Sequence, residues 1–123
     1  MDVAAVYLEL FGRVPPLVES AVEGLDVEAQ TSAAVPGTNT IAWLVWHLTR
    51  VQDHHMADLR GDEQTWVAPG WAARFGFDHA DPEEHGYGHT PAQVAAVVPD
   101  TPHALVDYHR AVWARTSTAV AET

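Results

Sequence analysis

The chain contains no cysteine, and it contains no lysine either: all six of its basic residues are arginine. Without cysteine there is no disulfide framework, no thiolate zinc site and no cysteine nucleophile. Six cations against seventeen carboxylates leave a formal charge of −11. That balance argues against DNA or RNA as a partner and against anionic membrane surfaces, because both need clustered Lys and Arg. No apolar run approaches the ~20 residues of a membrane span, and no charged segment followed by an apolar one marks a signal peptide. Glycine-rich phosphate loops, internal repeats and strand patterns are absent, and Ser20, Ser32 and Ser117 lie in no nucleophile-elbow context. The expectation that remains is a single acidic domain of 123 residues, soluble and cytoplasmic. A chain of this length can bury about two thirds of its unfolded surface.

What the chain does have in quantity is histidine and tryptophan, eight and five residues respectively. These are distributed over a helical pattern. Val3, Tyr7, Leu10, Val14, Leu17, Ala21 and Leu25 repeat at three- and four-residue steps, which predicts a helix over residues 2–25. Pro15 and Pro16 interrupt it, and because the stripe keeps its phase a kinked helix is expected rather than two helices. A second helix is predicted from about Thr40 to Arg60, with Gly61 just beyond its end. On its wheel Ile41, Leu44, Leu48, Val51 and Leu59 share one arc, while Thr49, Arg50, Asp53 and Arg60 lie opposite. Residues 62–100 read as a long ordered loop rich in Gly, Pro, His and aromatics, with a short helix over 92–97 capped by Thr90 and Pro91. A third long helix is expected from Pro102 to Ala121 with Thr101 as its cap, carrying Leu105, His109, Val112, Thr116 and Ala119 on one arc. The fold class is therefore all-α, a helical bundle in which three long helices are present and a fourth is missing.

The chemistry-bearing residues gather on the second helix. His47, His54 and Asp58 fall within about 40° of one another on the wheel, along the edge of the apolar arc, and His55 lies inside that arc. Imidazole and carboxylate are compatible divalent-metal ligands. Residues seven apart stand about 10 Å apart along a helix, so His47 and His54 do not easily share an ion, whereas His54 and Asp58, one turn apart, can. His54 and Asp58 read equally as a solvated pair. His109, at the centre of the third helix's apolar arc, reads as a metal ligand, a general base or a buried hydrogen-bonded residue. In the loop, the run His85-Gly86-Tyr87-Gly88-His89 matches either a turn or an ion-wrapping segment.

The stretch Asn39-Thr40-Ile41-Ala42-Trp43-Leu44-Val45-Trp46-His47-Leu48 and its continuation to His55 resembles the DinB-like (DinB/YfiT) superfamily, especially its actinobacterial members. The stretch Gly86-Tyr87-Gly88-His89-Thr90-Pro91-Ala92-Gln93-Val94 is similar to a segment of the same group. The resemblance implies a four-helix bundle, often a homodimer, with a three-ligand, mostly histidine site for nickel, zinc or another divalent ion. His47 matches the ligand on the family's second helix. The other two family ligands come from a His-x-x-x-His-like pair on the last helix, which nothing after Trp113 resembles, so the domain, residues 1–123, is expected to be C-terminally incomplete. Related enzymes use a low-molecular-weight thiol such as mycothiol in S-transferase or isomerase reactions, and others are hydrolases. The implied activity is attack of a metal-activated thiol or water on a small electrophilic substrate, with His55 or His109 carrying protons and Trp43, Trp46, Trp66 and Trp71 walling the pocket or filling the core. The alternatives are metal binding without catalysis, or a metal-free helical module for dimerisation or ligand binding. With a helix missing, the chain should expose apolar faces that a partner covers.

Overall fold

The computed structural model describes residues 2–122. Among the described residues there are helices and no strands, so the fold is all-α as expected. The first arm is jointed. Helix α1 spans Val3–Phe11 and α2 spans Val14–Val22. The backbone of Gly12 and Arg13 between them stays right-handed, with φ −66° and −78°. The stripe's phase is preserved because the chain never leaves helical dihedrals. The continuous hydrogen-bond ladder is nevertheless lost, because Pro15 and Pro16 carry no N–H to offer the preceding turn, and both sit in the first turn of α2, where none is needed. Two helices across a tight joint therefore replace the single kinked helix. A short α3, Val27–Thr31, is capped by Asp26, whose carboxylate accepts from the Ala29 amide at 2.8 Å. Its buried Gln30 donates to the Leu25 and Pro102 carbonyls, tying the connection to the start of the last helix.

Helix α4, Ile41–Arg60, begins at Thr40, whose hydroxyl accepts from the Trp43 amide, and ends at Gly61 in the left-handed conformation. Its orientation overturns the sequence expectation. The buried residues are Ala42, Trp43, Val45, Trp46, Thr49, Arg50, Asp53 and Ala57. Leu44, Leu48, Val51 and Leu59 are exposed, Leu59 to 77%. Of the arc read as polar, Thr49, Arg50 and Asp53 face the core, where the 61–100 segment and the last helix supply their partners, and Arg60 alone stays exposed. That segment folds as a 3-10 turn over Thr65–Val67, α5 over Trp71–Arg74 and α6 over Pro91–Ala95, the last with Thr90 and Gln93 closing a reciprocal cap. Arg74 fastens it to the last helix through Asp100, Asp107 and the Thr101 hydroxyl.

Helix α7 runs Ala104–Ala121, two residues later than expected, because Thr101 caps a turn, accepting from the His103 amide, instead of the helix itself. It packs against α1, α2 and α4. The predicted arc is the buried one: Leu105, His109, Val112, Thr116 and Ala119, joined by Tyr108. The aromatics of the long segment form the centre. Trp46 stacks on Phe77 at 5.2 Å, Trp66 meets Phe77 edge-on at 5.4 Å, and Trp66 and Phe75 both pack on Tyr108. The tryptophans thus carry burial, which is the commoner use of large aromatics in a small domain. Helix α1 contributes no fully buried residue, and Val3, Tyr7, Leu10 and Phe11 remain exposed with the α4 leucines.

Candidate functional site

Helix α4 presents Trp43, His47 and Arg50 one turn apart on one side, and residues 82–89 lie across all three. The half-buried His47 ring stacks on the Trp43 indole at 4.6 Å and 10°, and its Nδ1 donates to the His85 carbonyl. A carbonyl oxygen only accepts, so the proton is on Nδ1 and the neutral ring's lone pair is on Nε2. Gly86 follows with φ +96°, so close to α4 that a Cβ there would stand 2.9 Å from Trp46, 3.0 Å from His47 Nδ1 and 3.1 Å from Trp43. His89 Nδ1 accepts from the Trp43 indole N–H at 3.0 Å, and its Nε2 donates to Glu84 at 2.6 Å. The two stretches that carry the family resemblance, 39–55 and 86–94, are thus one structural unit.

Beneath this lies a buried polar cluster. The Arg50 side chain is fully buried; it donates to the Glu84 and Pro82 carbonyls and lies over the Trp66 ring at 4.9 Å. Asp53 accepts from the Thr65 and Trp66 amides, both at 2.8 Å, and from the Tyr108 hydroxyl at 2.7 Å, with Arg50 Nη1 at 3.5 Å. Burial first, and the Asp53 charge second, push the Tyr108 phenol far above its usual range, against the opposing pull of Arg50. It therefore serves as a permanent donor. Sequence reading placed Arg50 and Asp53 on the solvent side. The available signal was an Arg and an Asp three residues apart on a helix whose same side carries two tryptophans.

The remaining sequence-predicted residues divide between two surfaces. The half-buried His54 stacks on His85 at 5.6 Å, and its Nε2 stands 3.8 Å from the exposed Asp58 carboxylate. His55 is exposed and meets His54 edge-on. His109 is on the opposite, core-facing side of α4, where its Nδ1 faces the Thr49 hydroxyl at 3.0 Å. Thr49 spends its one proton on the Val45 carbonyl, so His109 donates and its Nε2 is left buried without a protein partner. Among the described residues no three His, Asp or Glu side chains group so as to hold a metal ion. A cavity of about 280 Å³ opens between the C-terminal halves of α4 and α7, walled by Met56, Ala57, Val112 and Ala119; none of His47, His54, His55, Asp58 or His109 lines it.

Burial lowers the His109 pKa, partly offset by the Glu19 carboxylate. Its unfolded value is ordinary, about 6.5, so below that pH the unfolded chain takes the proton more readily. The contribution of His109 to stability is complete above the unfolded value and is lost as the pH falls toward and through the folded one. We expect urea midpoints to fall between pH 7 and 5 more steeply in the parent than in His109→Gln. Superimposable pH profiles would show that this imidazole is not held neutral by the fold.

A sequence profile of the DinB superfamily matches residues 10–123. A solved structure, described as that of a conserved protein of a locus from Enterococcus faecalis, is similar with a TM-score of 0.87 and 26% identity, over 100% of this chain and 72% of that one. No curated protein matches.

Proposed function

This chain belongs to the DinB superfamily, a group generally associated with divalent metals, and from that premise we propose that it presents His47 as one ligand of a divalent-metal site, nickel or zinc. The observation that carries this reading is the bond from His47 Nδ1 to the His85 carbonyl, which leaves Nε2 as the donor nitrogen. Metal-binding histidines characteristically give their other ring N–H to a carbonyl or carboxylate in this way. The described residues fit such a site as one ordered imidazole and not as a full ligand set. His54 and Asp58 form a second pair, about two turns along α4 and so on the order of 10 Å away. Among the described residues no further side chain joins His47 in a ligand set.

In this reading the activity is a thiol-dependent transfer or isomerisation, with mycothiol or a related thiol as co-substrate and a small electrophile as acceptor. A bound divalent ion brings the pKa of a thiol or water toward neutrality. The contribution of the chain is to hold His47 Nε2, to offer the solvent-facing His55 as proton carrier, and to use His109 structurally through Thr49. A reduced thiol co-substrate fits a cytoplasmic setting. The exposed row Leu44, Leu48, Val51 and Leu59 supports the further proposal of a homodimer, and it equally favours a second reading as a metal-free dimerisation module. One preparation tests both. We expect stoichiometric divalent metal in the purified protein, its loss in His47→Ala, and sedimentation as a dimer. Equal metal content in parent and variant would remove His47 from any metal site, and a well-behaved monomer would remove the dimer.

A further inference from the structure

We propose that residues 82–89 are a clasp that fixes the tautomer and direction of His47, with Glu84, His89 and Trp43 as positioning residues. The inference deepens the reading of His47 as a ligand and rests on it for its purpose, although the geometry stands by itself. A free imidazole exchanges between two neutral tautomers and turns about two side-chain bonds. Here the ring is held on its face by Trp43 and at Nδ1 by the His85 carbonyl. That carbonyl belongs to a loop, so its usefulness depends on what holds the loop.

Three things hold it. The carbonyls of Pro82 and Glu84 are bound by Arg50, one turn beyond His47. Gly86 seats the loop closer to α4 than any side chain permits. His89 closes the far end on Trp43, one turn before His47. His89 can do this only in one state. The indole N–H can only donate, so His89 Nδ1 must accept, and its proton is on Nε2, where the Glu84 carboxylate receives it. Glu84 is therefore used twice, with its main chain on Arg50 and its side chain on His89. The loop is anchored on both sides of the imidazole it positions, to the same helix that carries that imidazole. A substitution at His89 accordingly acts on His47 through two intermediates, Trp43 and the His85 carbonyl, without touching the ligand nitrogen.

The test is made on the full chain, freed of metal by a chelator, by long-range proton–nitrogen correlation of ¹⁵N-labelled imidazoles. The parent is expected to show His47 as a single tautomer protonated at Nδ1. His89→Ala is expected to give a mixture of tautomers at His47, while His89→Gln, whose amide oxygen accepts from Trp43 and whose NH₂ reaches Glu84, restores the parent pattern. Zinc competition against a chromophoric chelator should show His89→Ala weakened by about 10–100-fold, the range typical for loss of a group that supports a ligand, with His89→Gln close to parent. A parent spectrum with the His47 proton on Nε2 overturns the clasp without recourse to any variant, and so does an unchanged tautomer in a folded His89→Ala. If the Nδ1–H tautomer is present and depends on His89 while the protein takes up no metal, the clasp stands and the metal reading alone fails.

Discussion

Asp53→Ala should cost about 3–5 kcal/mol of folding stability, the range for breaking a buried ion pair by removing one partner. The size follows from what the substitution leaves behind. Asp53 is 4% exposed and satisfies two backbone amides and a phenol while balancing a guanidinium. Without the carboxylate, the Thr65 and Trp66 amides and the Tyr108 hydroxyl lose their acceptor, and a fully buried Arg50 keeps its charge with only neutral groups around it, two carbonyls, the Tyr108 hydroxyl and the Trp66 ring. Each bare buried donor costs about 1–3 kcal/mol and an unpaired charge more. Against a total of roughly 5–15 kcal/mol for a domain, a loss of that size leaves much of the population unfolded or near it. Tyr108→Phe is the graded control. It removes one donor to Asp53 and one acceptor from Arg50 but leaves Asp53 with Arg50 and both amides, so about 1–2 kcal/mol is expected. Urea unfolding followed by tryptophan fluorescence measures all three proteins. An Asp53→Ala protein within about 0.5 kcal/mol of the parent, on the scale of surface substitutions, would mean that water enters the cluster and replaces the carboxylate.

The same cluster explains which parts of the molecule could be read in advance. The arc on α7 was legible because Leu105, Val112 and Ala119 are buried by simple apolar contact, which hydropathy encodes. The face of α4 was not. Periodicity identified Leu44, Leu48, Val51 and Leu59 as a stripe correctly, but it assigned that stripe to the core and Arg50 and Asp53 to water. The assignment inverts because two tryptophans outweigh the leucines in buried area, and because the polar side's hydrogen-bond partners lie 12 to 58 residues away in sequence. No local pattern contains them. The site shows the same division. His47 was singled out through its resemblance, and the closeness of His54 to Asp58 was readable from helical spacing. The His85 carbonyl was not, because a backbone oxygen has no residue type to betray it. The joint between α1 and α2 was half legible: the prolines marked it, while the preserved phase of the stripe concealed that the hydrogen bonds break one turn before them.

Gly86→Ala is expected to be the most damaging single-methyl change in the 82–89 segment, and Gly88→Ala two residues on measures how much of that damage is packing. Both glycines have positive φ, +96° and +78°, so both substitutions carry backbone strain on the order of 1–3 kcal/mol. They differ in surroundings. A Cβ at Gly88 meets nothing within 4 Å, whereas one at Gly86 stands 2.9 Å from Trp46, 3.0 Å from His47 and 3.1 Å from Trp43. Those neighbours cannot give way cheaply. Trp46 is fully buried and stacked on Phe77 and His89, and Trp43 is held by His47 on its face and His89 at its nitrogen. Forcing a methyl into a packed site adds about 1–3 kcal/mol, which gives roughly 2–6 kcal/mol for Gly86→Ala against roughly 1–3 for Gly88→Ala. The cheaper escape is for the loop to lift from α4. That relieves the overlap but withdraws the His85 carbonyl from His47 and breaks the Trp43–His89 bond. Hydrogen exchange then distinguishes local lifting from global loss: the Trp43 indole proton should exchange much faster in Gly86→Ala, while the amides of α7 keep parent-like protection relative to the variant's own stability. Equal costs at the two glycines would mean that the tryptophans yield to the methyl. The close approach of loop to helix would then be incidental to how His47 is held.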